Sequence, residues 1–251
     1  LVEVSDLHVS VRRAAVPGEI DGGHDAVDGV SFAIAPGECL ALVGESGSGK
    51  TLSAFALLGL QPSPDVSVTG GEVRYQGRAL AEMSAEEIRC LRGRRIGMIF
   101  QEPSQALNPV RRIEAHLREV LAAHDVAPRA EWPTRMIRAL EEVGLPEPSR
   151  VLKMFPFELS GGMMQRACIA MALIAGPDLV IADEPTPALD PTVSRRIVDL
   201  LAGLRQRRGI AILYISHDLH WVGRLADRVG VLYLGRLVET GPTDALLRTP
   251  R

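Results

Sequence analysis

Apolar residues occupy alternating positions at the start of the chain, Val2 and Val4, then Leu7, Val9 and Val11, and this period of two predicts an early strand. A glycine-containing, charged stretch at 12–25 reads as a loop, after which alternation returns from Val27 to Ile34. Ala35-Pro36-Gly37-Glu38 then turns the chain into Cys39 to Val43, an unbroken apolar run with the signature of a buried strand. Lys50 to Leu58 reads as a helix, Gly71 to Tyr75 as another strand, and Ile96 to Phe100 as a buried strand that runs into Gln101-Glu102-Pro103. From Pro109 to about Phe157 the period becomes helical. Ile113, Leu117, Val120 and Leu121 form one stripe, and Met136, Ile137, Leu140 and Val143 form another that stops at Gly144. Strands and helices then alternate. The pattern predicts helix Gly161 to Ile174, strand Leu179 to Ala182, helix Thr192 to Leu204, strand Ile210 to Ile215, helix Leu219 to Ala226 and a strand pair around Arg228 to Val238. The expected class is α/β. Residues 1–104 and 158–251 form the core with an N-terminal β portion, and 105–157 form an inserted helical subdomain whose following helix continues to about 175.

With 251 residues and 27.1 kDa, there is enough chain for one large α/β domain or two small ones sharing an interface. The net charge of -3 and pI near 6.1 give no electrostatic footprint for nucleic acid. The local cluster Arg92, Arg94 and Arg95 reads as a solvated loop or helix end. Cys39, Cys90 and Cys168 are widely spaced, without a C-x-x-C pair, and read as reduced thiols of a cytosolic protein. The most apolar region, Ala167 to Ala182, is interrupted by Gly176-Pro177-Asp178, short of the ~18 uninterrupted apolar residues of a membrane span. Glu3 and Asp6 sit inside a strand pattern, so the N-terminus does not read as a signal peptide.

The chemistry concentrates at Gly44-Glu45-Ser46-Gly47-Ser48-Gly49-Lys50-Thr51, which fits G-x-x-x-x-G-K-[ST] directly after an apolar strand. Strand, glycine-rich turn and helix in that order aim backbone N–H groups at phosphate oxygens. Lys50 is then the residue for the β- and γ-phosphates, and the Thr51 hydroxyl a ligand for Mg²⁺. A second apolar strand ends in Asp183 and Glu184, suited to holding Mg²⁺ through water and to orienting the attacking water. Leu159-Ser160-Gly161-Gly162-Met163 precedes a helix; Ser160 is its expected N-cap, and the free N–H groups there make a second anion site. Because the phosphate loop already serves that purpose, the second site calls for the nucleotide of another copy. Asp190 before Pro191 is likewise an expected N-cap. His8 and His24 lack companions for a metal site and stay unassigned, and His220, Trp221 and Trp132 read as packing or surface residues.

In this order the motifs resemble those of the ATP-binding subunits of ABC transporters, and of the dipeptide/oligopeptide/nickel importer group in particular. Gly44 to Thr51 is similar to Walker A, Gln101 to the Q-loop glutamine, Leu159 to Met163 to the signature, Ala182-Asp183-Glu184 to Walker B, Ala188-Leu189-Asp190 to the D-loop and His217 to the switch histidine. Phe100-Gln101-Glu102-Pro103, Ala106-Leu107-Asn108-Pro109 and Ile169-Ala170-Met171-Ala172-Leu173 carry the narrower likeness. The resemblance implies a P-loop NTPase (RecA-like) core with an N-terminal antiparallel β subdomain and an inserted helical subdomain. It implies ATP and Mg²⁺, with Glu184, His217, Lys50 and Gln101 catalytic, and Thr51, Gln101 and Asp183 at the metal. Gly44 to Leu52, including Glu45, Ser46, Gly47, Ser48 and Gly49, would contact the nucleotide, as would Ser160, Gly161, Gly162, Met163 and Asp190 from a facing copy. Implied partners are a second ABC ATPase subunit (the same chain or a similar one), two integral membrane permease subunits and, indirectly, an extracytoplasmic solute-binding protein. Nucleic acid is not among them. The location implied is peripheral, at the cytoplasmic face of the plasma membrane.

Two departures stand out. Members of the family usually stack an aromatic residue on adenine near the end of the first strand, whereas no Phe, Tyr or Trp precedes Phe32 here. Arg12 or Arg13 is the expected substitute, through a cation–π contact of roughly 0.5–2 kcal/mol. Pro187 stands where relatives often have Thr. Two other classes fit parts of the pattern: a soluble ABC ATPase of an assembly or phosphonate-degradation complex, and a nucleotide-binding scaffold without turnover. The presence of both Glu184 and His217 argues against the scaffold.

Overall fold

The computed structural model describes residues 1–12, 24–186 and 190–248. Along the chain lie β1 (Val2–Val11), β2 (His24–Ile34), β3 (Cys39–Val43), α1 (Lys50–Leu57), β4 (Val66–Tyr75), β5 (Arg78–Ala79), α2 (Ala85–Arg94) and β6 (Ile96–Ile99). Then follow α3 (Pro103–Ala106), α4 (Ile113–Ala123), α5 (Trp132–Glu142), α6 (Pro148–Val151), α7 (Gly161–Leu173), β7 (Leu179–Asp183) and α8 (Pro191–Arg208). The chain closes with β8 (Ala211–Ser216), α9 (Leu219–Leu225), β9 (Arg228–Tyr233), β10 (Arg236–Pro242) and α10 (Thr243–Arg248). Among the described residues no helix is long and apolar enough to cross a membrane.

Two compact units are present, residues 1–89 with 213–251, and residues 90–212. In the first, β1 lies between β2 and β4 in an antiparallel sheet extended by β5. The alternation read from the sequence is its inner face, since Val2, Val4, Leu7 and Val9 are buried with Val27, Val30, Phe32 and Ile34. β4 begins at Val66, earlier than the expected Gly71. Between the Ser5–Glu72 and His8–Gly70 pairs the register shifts, so that Asp6 and Leu7 of β1 face Gly71 alone, a bulge on β1 opposite the glycine. A Cβ added at Gly71 would lie 2.2 Å from Asp6 O, so the backbones meet there only because the residue is glycine. The unit's second sheet has β10, β9, β3 and the Leu213–Ser216 part of β8 in that order. β3 and β9 are parallel, pairing Leu40 with Arg228 and Val43 with Val231.

In the second unit, β6 and β7 are parallel, pairing Ile96 with Leu179 and Ile99 with Ala182. Both strands are apolar because both of their faces are covered, and Leu179, Val180, Ile181 and Ala182 are all fully buried. α7 packs on β6: a Cβ at Gly97 would lie 2.4 Å from Ala172 O. The stretch 105–157 contains helices and short 3-10 turns, without a strand. Its two apolar stripes are inward faces, with Ile113, Leu117, Leu121, Met136, Leu140 and Val143 buried. Arg92 and Arg94 stand at the end of α2, where Gly93 breaks the helix, while Arg95 pairs with Asp178 at 3.3 Å. The cluster is thus a helix end, as expected.

Candidate functional site

The phosphate loop lies in the first unit and is built before any ligand is considered. β3 delivers the chain to Gly44, whose φ of +153° and close approach exclude a side chain: an added Cβ would lie 2.1 Å from Leu232 O. At Gly49 it would lie 2.5 Å from Ala26 O. β2 and the β9–β10 hairpin hold the loop from outside, through Gly235 N–H donating to Ser48 O (3.3 Å) and Asp28 N–H to Gly235 O (2.8 Å). Lys50, only 5% exposed, curls into the loop and donates to Gly44 O (2.9 Å) and Glu45 O (2.7 Å), with Ser48 Oγ at 3.4 Å. A buried ammonium held by carbonyls is a fixed positive centre within an anion cradle. Glu45, Ser46 and Gly47 face solvent, while Thr51 and Leu52 begin α1 half-buried. The same unit contains His217, exposed at the end of the buried strand β8, and Asp218, which caps α9 by accepting from His220 N–H. Arg12 is exposed at the end of β1, its N–H donating to Asp65 O at 2.8 Å. Arg13 lies outside the described residues.

The remaining predicted residues belong to the second unit. Asp183 ends β7 and is 5% exposed. Glu184 follows at φ +42°, a left-handed conformation that is unfavourable for a side-chain-bearing residue. Gln101, just beyond β6, donates from Nε2 to Glu184 Oε2 at 3.1 Å. The structure thus joins the Q-loop amide directly to the carboxylate expected to handle water, a contact the sequence spacing of 83 residues conceals. The two expected N-caps are present. Ser160 Oγ accepts from Met163 N–H (3.3 Å), and Asp190 Oδ1 accepts from Thr192 N–H (2.9 Å) and Val193 N–H (3.0 Å), with Pro191 at the first helical position. Ser160 and Gly161 are exposed and Gly162 and Met163 half-buried, so the glycine turn is open to solvent. A Cβ on Gly162 would approach Val193 Cγ1 to 2.9 Å, which ties α7 to the first turn of α8. Ser194 Oγ, donating to Thr186 O at 3.3 Å, anchors the same turn to the segment after Glu184. Pro187, Ala188 and Leu189 lie outside the described residues.

One expectation needs correction. His8 has companions: pairing of β1 with β2 brings it to Asp25 and Asp28, their ligand atoms all within 4.8 Å, with Asp6 Oδ1 3.3 Å from Nε2. Cross-strand neighbours far apart in sequence made this cluster invisible to spacing. Its acids are already engaged, Asp28 by Arg236 (2.7 Å) and Asp25 by the Ser10 hydroxyl, so the group is an ion network on the sheet surface. Trp132 and Trp221 pack as expected; Trp132 Nε1 donates to Ala127 O at 2.9 Å and Trp221 is buried. Cys39 and Cys168 are buried thiols, and burial pushes Cys168 up to about 12.

Known proteins resemble the chain over its whole length. Residues 27–187 match the ABC transporter family. The whole chain is 43% identical to the oligopeptide transport ATP-binding protein OppD of Bacillus subtilis, spanning 68% of that protein. It is also 43% identical over all 251 residues to the peptidoglycan transport ATP-binding protein YejF of Agrobacterium fabrum, spanning 45% of that one. Among solved structures, the ATP-binding cassette MJ0796 in a dimeric post-hydrolysis state with ADP and Pi superposes with a TM-score of 0.81 at 25% identity, over 97% of this chain and 99% of that one. With its phosphate loop, acidic strand end and capped glycine turn following one another on a P-loop NTPase fold, the chain belongs to the ABC transporter family.

Proposed function

We propose that the chain is the ATP-binding and ATP-hydrolysing subunit of an ABC importer for peptides, in which ATP-driven closure of two such subunits powers uptake. The observation that carries this reading is the preformed phosphate loop, with Lys50 buried at its centre and glycines where a Cβ would strike backbone. The importer assignment is supported by 43% identity over the whole of this chain to a protein named for oligopeptide transport. An equal identity to one named for peptidoglycan transport fits a cargo that is recognised on other subunits.

ATP binding begins with Lys50 exchanging the carbonyls of Gly44 and Glu45 for phosphate oxygens, while the loop N–H groups and the start of α1 take the remaining charge. Thr51, Asp183 and the Gln101 amide carry hard oxygen donors of the kind Mg²⁺ prefers and are the residues that would hold the ion, which would supply positive charge to the phosphates. Holding the ion would require Gln101 to give up its bond to Glu184, and the Glu184 carboxylate would then orient the attacking water. His217 then holds the γ-phosphate. Ser160, Gly161 and Gly162 contact the γ-phosphate bound to a second ATPase subunit, and Asp190 adds a contact across that dimer.

Closing the pair from ~1% to ~99% requires about 5.5 kcal/mol of differential binding, which several charge-assisted hydrogen bonds per site supply. The partners on this reading are a second ATPase subunit and two permease subunits, with a solute-binding protein acting through the permeases. The chain sits peripherally at the cytoplasmic face of the plasma membrane. Docking of the permeases is supported by an exposed apolar surface in the second unit, Val110 (77% exposed) and Phe157 (71%), beside an open cavity of about 470 Å³ bordered by Arg112 and Phe155. Affinity capture from membranes should recover two multi-spanning proteins, and Lys50→Ala should abolish both ATPase activity and peptide uptake. Recovery of soluble partners alone, or uptake undiminished by the substitution, refutes the reading.

A further inference from the structure

Gln165 is 1% exposed in the middle of α7, and its Nε2 has no hydrogen-bond acceptor among the described residues. A buried amide donor in that condition destabilises a fold, and an apolar side chain of the same size would suit the core better. Its place in the fold suggests why it is polar. Gln165 lies three residues from Gly162 and three from Cys168, so it sits about 60° around the helix from each. Gly162 meets Val193 of α8, and the Cys168 thiol faces Pro103 O of α3 at 3.9 Å. Gln165 therefore points between the segment that follows Gln101 and the segment that follows Asp190.

Its height along the helix agrees. α7 leads through the turn at Gly176 into β7, whose first residue Leu179 pairs with Ile96, the first of β6, so the helix runs opposite to both strands. Ala172 lies over Gly97. Seven residues toward the N-terminus of the helix, about 10 Å, Gln165 lies over the far ends of these strands, where Gln101 is bonded to Glu184.

We propose that Gln165 is a positioning residue of the ATPase cycle. In the ATP-closed dimer its amide gains a backbone carbonyl from the segments carrying Gln101 and Asp190, locking the signature helix to both. The inference rests on the chain being an ATPase that closes as a dimer.

Gln165→Met provides the test, because it keeps an unbranched side chain of similar size and helix propensity without the donor. Without nucleotide the Tm of the full chain should hold or rise by about 2–4 °C, while kcat falls about tenfold and the KM for ATP changes little. With Glu184→Gln added, more Mg-ATP should be needed to reach half dimer on size exclusion than with Glu184→Gln alone. Gln165→Leu, a second apolar filling, should behave alike. Unchanged kcat and dimer formation overturn the inference. So does a Tm without nucleotide that falls in both variants, which marks the amide as satisfied in the resting fold. If Glu184→Gln alone fails to dimerise, the functional reading fails and this inference with it.

Discussion

Gly44→Ala should damage the phosphate loop far more than Gly47→Ala, although both glycines have positive φ. At Gly47, with φ +80°, a Cβ meets nothing within 4 Å, so the substitution costs only the left-handed backbone, about 1–2 kcal/mol. At Gly44 the Cβ would lie 2.1 Å from Leu232 O and 2.8 Å from Ser48 Oγ. The hydroxyl can rotate away, whereas Leu232 O belongs to the backbone of the buried strand β9. Reaching an ordinary contact requires the loop to move by about 1 Å, and a displacement of that size at a reacting group can cost about 10²-fold in rate. Backbone strain of about 1–3 kcal/mol corresponds to a Tm lower by roughly 2–12 °C for a chain this long. Thermal unfolding, with and without Mg-ATP, and steady-state ATPase assays on the two variants separate the effects. Gly47→Ala should retain nucleotide-dependent stabilisation; Gly44→Ala should lose it along with turnover. Equal Tm and equal ATPase activity in the two variants would refute the steric argument.

Three further outcomes follow from individual contacts. Asp190→Ala removes the acceptor of two backbone N–H groups at the start of α8 and should cost about 1 kcal/mol in urea unfolding, with Asp190→Asn retaining most of it. Arg208 pairs with Glu142 through two nitrogens and also donates to Leu173 O at 3.0 Å, so Arg208→Met should cost about 2 kcal/mol by stranding Glu142. Adding Glu142→Met should recover part of that loss. The Cys168 thiol is pushed from 9.0 up to about 12 by burial, so between those pH values it ionises only in the unfolded chain. Stability linked to this group is intact below pH 9 and declines above it by about 1.4 kcal/mol per pH unit; Cys168→Ala should show a correspondingly shallower alkaline loss in denaturant titrations.

Much of the site was legible because its parts are local. A phosphate loop is a contiguous strand, turn and helix, and Ser160 and Asp190 cap helices that begin one residue later, so residue type and position suffice. Most core strands announced themselves through alternation or unbroken apolar runs. α2 did not, since Glu86, Glu87, Arg89 and Arg92 leave it with Leu91 as its buried residue and no apolar stripe to read. α10, six residues long, is too short to establish a period. Gly71 resembled a strand start and lies inside β4 opposite a bulge of β1, because the reason for glycine there is the backbone of another strand. The same limit applies to function: the Gln101–Glu184 bond, the His8 network and the buried Gln165 Nε2, which has no acceptor among the described residues, depend on neighbours that only the folded chain brings together. The positive φ of Glu184 had no sequence signal at all, since an acidic side chain carries no preference strong enough to announce it.

The central claim is that intact ATP joins two copies of this cassette and that Glu184 is needed to cut the joint. Size-exclusion chromatography with light scattering on Glu184→Gln tests it most directly. With Mg-ATP the variant should run as a stable dimer of about twice 27.1 kDa while hydrolysing at a small fraction of the parent rate, and with Mg-ADP it should run as a monomer. A variant that stays monomeric with Mg-ATP, or that turns over like the parent, contradicts the account.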